Sequence, residues 1–316
     1  MKYEPPKFEK LNDMASIDVG RLTENEARAI IENIRWPNGI ACPHCGSMRV
    51  TRLQAKSEKV RDGVIKCKDC RKQFTVTVGT IMQGSHITLR QWVQAFYAMC
   101  SSKKGVSALQ LQRNLGLGSY KSAWYLCHRI RKAMNQQPSK DMLKGIIEVD
   151  ETYVGGRPRR DGTAHIRGRG TKKTPVLAIV QRDGKAVSKP LGVVNHKTLK
   201  SAIKAVVSKQ STIMTDECSS YHGIGKSFDG GHKTVNHSYG EYAYHDITTN
   251  TVESYFSLLK RGVHGIFHHI SKKHLARYCD EFAFRWNQRE VTDGQRAVAA
   301  IQGIEGKKLP FKEVIC

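Results

Sequence analysis

The stretch Gly145-Ile-Ile-Glu-Val-Asp150, answered further along by Ser211-Thr-Ile-Met-Thr-Asp216, decides how this chain reads. Each is a short β-branched, apolar run ending on an aspartate, the pattern of a buried strand that delivers a carboxylate at its end. A third acid, Glu253, sits in Thr249-Asn-Thr-Val-Glu253-Ser-Tyr-Phe-Ser-Leu-Leu-Lys260, a helical stretch that carries Lys260 two turns later. Carboxylates at the ends of neighbouring strands, faced by one from a helix, can meet at one point. Such a cluster calls for hard divalent cations, which take oxygen ligands and cancel the mutual repulsion of the acids. Taken singly, each acid reads as readily as a surface carboxylate; the three carry weight only jointly. Glu148 and Glu151 flank Asp150 and are expected to point away from it, outside the ligand set.

Outward from these acids, Ile146 to Tyr153 reads as a first strand, and Pro175 to Gln181 with Val187 to Val194 as a hairpin across Asp183-Gly184. Lys197 to Lys209 is an amphipathic helix, Ile213 to Asp216 a strand end and His232 to Asn236 a weaker strand. The Glu253 helix follows, then a last helix with Leu275, Tyr278, Cys279, Phe282 and Trp286 on one face. That order is the order of an RNase H-like α/β domain, expected over 142–292, with 293–316 as a C-terminal tail. The glycine-rich loop between the first two strands crowds Arg157, Arg159, Arg160, Arg167, Arg169, Lys172 and Lys173 against the lone Asp161. These cations are well placed to hold phosphates, although a solvated loop has the same composition.

The N-terminal part has another character. Thr23-Glu24-Asn25-Glu26 has capping-box spacing and leads a helix with Ala27, Ile30, Ile31 and Ile34 on its apolar stripe, ending near Trp36-Pro37. Cys42-Pro-His-Cys45 and Cys67-Lys-Asp-Cys70 then form two Cys-x-x-Cys knuckles, with strand-like segments at Arg49 to Leu53 and Phe74 to Val78. Four thiolates from two tight turns make a closed tetrahedral site for one structural Zn²⁺, which lets so small a β module fold. A zinc ribbon is therefore expected within 1–86. Over 87–141 the pattern is helical. Trp92, Val93, Phe96 and Tyr97 form one stripe, Ser107 caps a second helix, Gly116-Leu-Gly118 turns, and Ser119 caps a third helix decorated by Lys121, His128, Arg129, Arg131 and Lys132. Helix, glycine turn and basic helix is helix-turn-helix-like, with Lys121 and Arg129 as candidate DNA contacts. A plain helical bundle with a solvated basic face remains the alternative.

The whole chain is thus expected to be multidomain α+β. Its formal charge of +24, from 52 Lys+Arg against 28 Asp+Glu, points to double-stranded nucleic acid as partner. No stretch reaches the roughly 20 apolar residues of a membrane span, and no secretory signal opens the chain, so a cytoplasmic, nucleoid-associated protein is expected. Five further cysteines, Cys100, Cys127, Cys218, Cys279 and Cys316, follow no pattern and read as thiols in a reducing compartment.

The chain resembles the bacterial zinc-ribbon insertion-sequence transposases related to the eukaryotic Merlin transposons. The resemblance runs from about Ile31 to Arg289. It rests on the cysteine knuckles, on Phe74-Thr-Val-Thr-Val-Gly-Thr-Ile-Met82, on Val149-Asp-Glu-Thr-Tyr-Val-Gly-Gly156, and on Lys260-Arg-Gly-Val-His-Gly265 followed by Tyr278-Cys-Asp-Glu-Phe-Ala-Phe-Arg-Trp-Asn287. It implies a DDE transposase. Asp150, Asp216 and Glu253 would hold two Mg²⁺ or Mn²⁺ ions per active site, with Asp150 shared between them. Asn250, on the same helical face as Glu253, is a neighbour able to share the third position. Lys260 and Arg261 would contact DNA near the scissile phosphate. The activity implied is 3′-end cleavage at the element's terminal inverted repeats and transesterification into target DNA, by a homodimer on DNA. Two rival readings use the same residues: a non-catalytic zinc-ribbon DNA-binding regulator from a decayed or domesticated element, and an RNase H-like nuclease that cuts without joining.

Overall fold

The computed structural model describes residues 11–53, 62–135, 142–156, 171–235 and 248–315. The chain is mixed α/β and divides into two compact units, Met1–Met134 with Glu290–Cys316, and Asn135–Arg289.

In the first unit, α1 (Ser16–Arg21) leads to α2 (Glu24–Arg35). The capping box is formed: Thr23 N–H donates to Glu26 Oε2 at 2.7 Å, and Glu26 N–H donates to Thr23 Oγ1 at 3.3 Å. Strands β1 (Val50–Arg52), β2 (Ile65–Cys67) and β3 (Gln73–Phe74) make an antiparallel three-stranded sheet. The strand expected from Phe74 to Val78 stops at Phe74, because the next carbonyls are used elsewhere: Val78 N–H donates back to Thr75 O at 3.1 Å, and Arg35 Nη1 donates to Val76 O at 2.8 Å. Next come α3 (Leu89–Ser101), α4 (Ala108–Leu115) and α5 (Tyr120–Met134), with Thr88 and Ser107 capping the first two. Gly116, at φ +60°, ends α4 in the left-handed region where a side chain would be strained. The basic side chains of α5 do not all face outward: His128, Arg129 and Arg131 are buried beside Leu126, Cys127 and Ile130.

The second unit is built on a five-stranded sheet of β4 (Ile146–Val154), β5 (Thr174–Gln181), β6 (Ala186–Pro190), β7 (Thr212–Asp216) and β8 (His232–Val235). Their order is β6-β5-β4-β7-β8; β4–β5 and β5–β6 are antiparallel, β4–β7 and β7–β8 parallel. The period-two alternation of strands sorts the core into two layers. Ile147, Val149, Leu177, Ile179 and Ile213 pack with Leu199, Ala202 and Ile203 of α6 (His196–Lys204). Val154, Val176, Ala178 and Val180 pack on the other face with Val252, Tyr255, Phe256 and Leu259 of α7 (Asn250–Gly262) and with Cys279 and Phe282 of α8 (Leu275–Asn287). Helix α6 is shorter than its pattern predicts. Val206 and Val207 leave it to pair with Leu143, which accepts from Ser208 N–H at 2.9 Å.

Residues 293–316, expected as a tail, instead form α9 (Asp293–Gln302) and α10 (Phe311–Ile315). Ala297, Ala300 and Ile301 of α9 are buried, and Arg296 donates to Cys100 O on α3 at 3.1 Å. Beyond α9, Glu305 pairs with the buried Arg35 at 3.2 Å and Gly306 N–H donates to Gly79 O at 3.0 Å, fastening this segment to the ribbon. Gly294 marks the closest approach, since a Cβ there would lie 2.0 Å from the Leu11 carbonyl oxygen. Gly294→Ala is therefore expected to destabilise the first unit by about 1–3 kcal/mol, read as a lower urea midpoint at unchanged slope.

Candidate metal centres

The four knuckle cysteines come together. Cys42 Sγ lies 3.7 Å from Cys70 Sγ, Cys45 Sγ lies 3.6 Å from Cys67 Sγ, and all four sulfurs are within 4.8 Å of one another. A tetrahedron of thiolates about 2.3 Å from a zinc ion has sulfur–sulfur edges of about 3.8 Å, so the donor set and its spacing fit Zn²⁺. Backbone geometry makes this possible. Gly46 at φ +75° and Arg71 at φ +61° each turn the chain just past the second cysteine of a knuckle, and Gly46 N–H donates to Cys42 O at 2.8 Å. Among the described residues this quartet is the group of His, Cys, Asp or Glu with ligand atoms so closely gathered.

The acids of the second unit are arranged more loosely. Asp150 lies on β4 and Asp216 ends β7. The parallel pairing runs from Ile146 with Thr212 to Glu148 with Met214, so Asp150 and Asp216 each stand two residues beyond its last pair, at the same end of adjacent strands. Residues 148, 150 and 154 alternate with Ile147 and Val149, which places Asp150 on the sheet face covered by α7, and Glu253 stands in the first turn of that helix. Burial pushes the Asp150 carboxyl up to about 7, and the charges of Asp216, Glu151 and Glu253 push in the same direction, against one stabilising N–H from Glu151. Asp216 Oδ1 accepts from Cys218 N–H at 3.2 Å, and Glu253 Oε1 accepts from Thr249 Oγ1 at 3.4 Å. Asn250 is the exposed first residue of α7, its N–H bonded to Thr248 Oγ1 at 2.9 Å.

Glu151 behaves as expected, facing the α6 side, where its carboxylate accepts from the buried Tyr221 hydroxyl at 2.5 Å. Burial and the Glu151 charge hold the Tyr221 phenol well above its usual range. Glu148 does not behave as expected. Two residues from Asp150, it shares that residue's face, and its fully buried carboxylate accepts from Arg182 and from the first N–H groups of α7. Sequence reasoning missed both Glu148 and Arg182. The available signal was an acid inside an apolar strand, a position tolerated only with a partner.

The candidate DNA contacts separate into three groups. Lys260 and Arg261 are exposed on α7, with Lys260 Nζ 6.0 Å from the Phe256 ring centre and Arg261 Nε donating to Ser257 O at 3.1 Å. Lys121 is exposed on α5, its Nζ 4.6 Å above Phe311. Arg129 is 5% exposed. Its guanidinium lies 5.3 Å from the Trp92 ring and 5.1 Å from the Tyr125 ring and donates to Gln83 O, so it joins helices rather than facing a duplex. Arg157, Arg159, Arg160, Arg167 and Arg169 lie outside the described residues.

Comparison with known proteins matches two domains of this chain. Residues 142–287 match the family described as ISXO2-like transposase domain, and residues 22–73 match the transposase zinc-ribbon domain. The chain is similar to an uncharacterized protein in transposable element ISH50 of Halobacterium salinarum, 28% identical over 282 residues that cover 85% of this chain and 92% of that protein. A solved chain from the simian T-cell lymphotropic virus intasome in complex with PP2A regulatory subunit B56 gamma is 15% identical, over 55% of this chain and 63% of that one. Its TM-score of 0.28 is too low to bear on the fold. Among the described residues no helix is long and apolar enough to cross a membrane.

Cys67→Ser is expected to lose the bound zinc, by metal analysis of the purified protein, and to open β1–β3 to proteolysis. Structural zinc contributes on the order of 10 kcal/mol to such modules. The raised Asp150 carboxyl gives a second expectation. Its folded state holds a proton more tightly than the unfolded chain, so its contribution to stability is full below pH 4 and is lost as pH rises through about 7. Without added divalent cation, Asp150→Asn should therefore be more stable than the parent at pH 8, by up to about 4 kcal/mol, with the difference shrinking by pH 5 in urea titrations.

Proposed function

This chain belongs to the IS1595-type zinc-ribbon transposases, and from that premise we propose that it binds the terminal inverted repeats of an insertion sequence, cleaves their 3′ ends and joins them to target DNA. The observation that carries this reading is the placement of the acids, with Asp150 on the central strand β4, Asp216 at the end of the adjacent parallel strand β7 and Glu253 in the first turn of α7 on the same face as Asp150; burial and the neighbouring acids raise the Asp150 carboxyl accordingly. Half-buried Asp150 and Asp216, with Glu253 exposed on the helix above them, are a donor set of hard oxygens lacking positive charge. The sheet order β6-β5-β4-β7-β8, with the first acid on its central strand, supports an RNase H-like catalytic domain.

Asp150, Asp216 and Glu253 would hold two Mg²⁺ or Mn²⁺ ions, with Asn250 beside them. Bound there, the ions supply activation of the attacking oxygen and neutralise charge on the departing 3′ oxygen. The chain's own residues do the rest. Asp150 gives up its proton when the site is loaded, so cation affinity rises with pH until about pH 7. Lys260 and Arg261, further along the helix of Glu253, hold the phosphates that flank the scissile bond, and the helix-turn-helix-like α3–α5 with Lys121 and the ribbon grips the repeat. Two ends require two active sites, so the working form is a homodimer on double-stranded DNA, in the bacterial cytoplasm beside the nucleoid.

The test is a DNA fragment carrying the repeats, incubated with the protein, target DNA and Mn²⁺. Joined products support the transposase. Binding without chemistry returns the regulator, and cutting without joining returns the nuclease. Asp150→Asn is expected to abolish joining while end affinity stays within about twofold of the parent; equal loss of both would remove Asp150 from the metal site. End affinity should fall by about 10³-fold or more between 50 and 200 mM salt if six or more phosphates are contacted.

A further inference from the structure

We propose that Glu148, together with Arg182, is a positioning residue for the acidic centre: it caps α7 from the neighbouring strand and so fixes Glu253 relative to Asp150. The proposal rests on the reading of Asp150, Asp216 and Glu253 as metal ligands.

Helix α7 begins without a capping bond from its N-cap residue. Thr249, at the N-cap position, makes no side-chain capping bond; its hydroxyl goes to Glu253 instead. Asn250 N–H goes to the preceding Thr248 Oγ1, and the next two donors are satisfied from the neighbouring strand. Thr251 N–H and Val252 N–H donate to Glu148 Oε2 at 2.7 and 3.0 Å, and Thr251 Oγ1 donates to Glu148 Oε1 at 3.0 Å. On its other side, Oε1 accepts from Arg182 Nε and Nη2 at 3.1 and 2.9 Å. Arg182 also donates to Thr248 O, just ahead of the helix, at 3.3 Å, and lies 3.4 Å from Met214 Sδ on the strand that ends at Asp216. One carboxylate and one guanidinium thereby tie β4, β7 and the start of α7 together.

The geometry is specific to a carboxylate. Five donors converge on Glu148, whose side chain is 0% exposed, and an ionised acid is acceptor-only. A glutamine would turn an NH₂ toward groups that are all donors. Burial alone would be served as well by an apolar residue, whereas a charged fork sets orientation. Val252, which bonds Glu148, immediately precedes Glu253, and Glu148 stands two residues from Asp150 on the same face. Any slide or rotation of α7 along the sheet would break the clamp and carry Glu253 out of register.

The test uses the full chain, with Mn²⁺ as probe. Glu148→Gln is expected to weaken Mn²⁺ binding about 10–100-fold by titration calorimetry, as for outer-sphere partners of other metal sites. Strand transfer should fall in kcat with repeat affinity unchanged, and part of the loss should be recovered by raising Mn²⁺. Should Glu148→Gln not fold, by circular dichroism and thermal unfolding, Arg182→Lys is read in the same way, because it keeps the charge but loses the fork. Glu253→Gln and Asp150→Asn serve as references: if both bind Mn²⁺ as the parent does, the metal assignment itself has failed, whatever the clamp does. If those two lose Mn²⁺ while a folded Glu148→Gln or Arg182→Lys binds and joins DNA as the parent does, the positioning role is overturned.

Discussion

Burial of the Asp150 carboxyl with other acids nearby is the constraint around which the second unit is built. Each acid would be at ease in water, but β4 carries Asp150 into the layer beneath α7, where Asp216, Glu151 and Glu253 all disfavour its charge. A fold that stores such a conflict must hold its elements firmly, because the simplest relief is for the helix to drift away. The two apolar layers supply bulk cohesion, with Tyr255, Phe282 and Val176 on one side and Ile147, Leu177 and Tyr221 on the other. They do not by themselves fix where along the sheet the helix stops. Directional bonds between Glu148, Arg182 and the opening turn of α7 do.

The ribbon of the first unit meets the opposite difficulty, too little apolar material. It has strands of two or three residues and depends on sulfur ligands for closure. Arg35 compensates further. Its guanidinium reaches Val76 O and Glu305 and stacks 4.7 Å from Trp36, joining helix, ribbon and the returning chain in a single buried contact. Burial lowers the pKa of this arginine, with Glu305 opposing that effect.

How much of this was legible in the sequence follows from how local each signal is. The Thr23 capping box, the cysteine knuckles and the apolar run from Pro175 to Gln181 are written within a few residues, and all appear where the pattern put them. The positions of Asp150 and Asp216 on their strands and of Glu253 on its helix were legible for the same reason. What failed was non-local. Arg129 looked solvated because its partners Trp92 and Gln83 lie a helix away, and a long cation is easily buried beneath aromatic rings. The strand after Phe74 ended early because Arg35, far back in the chain, claims the Val76 carbonyl. Glu148 was misread in another way: strand period two already placed it on the face of Asp150, and only its partner was hidden.

The zinc-ribbon unit is discontinuous in sequence, since α9 and the segment through Glu305 and Gly306 complete a unit begun by α1 to α5. A ribosome therefore releases the ribbon and its helices long before the residues that cover α3 exist. The nascent first unit waits, with the α3 surface bare, while the whole sheet unit is synthesised between its two parts. Completion of the zinc-ribbon unit is in this way a late event of biosynthesis, reached only after the sheet unit has had its chance to fold.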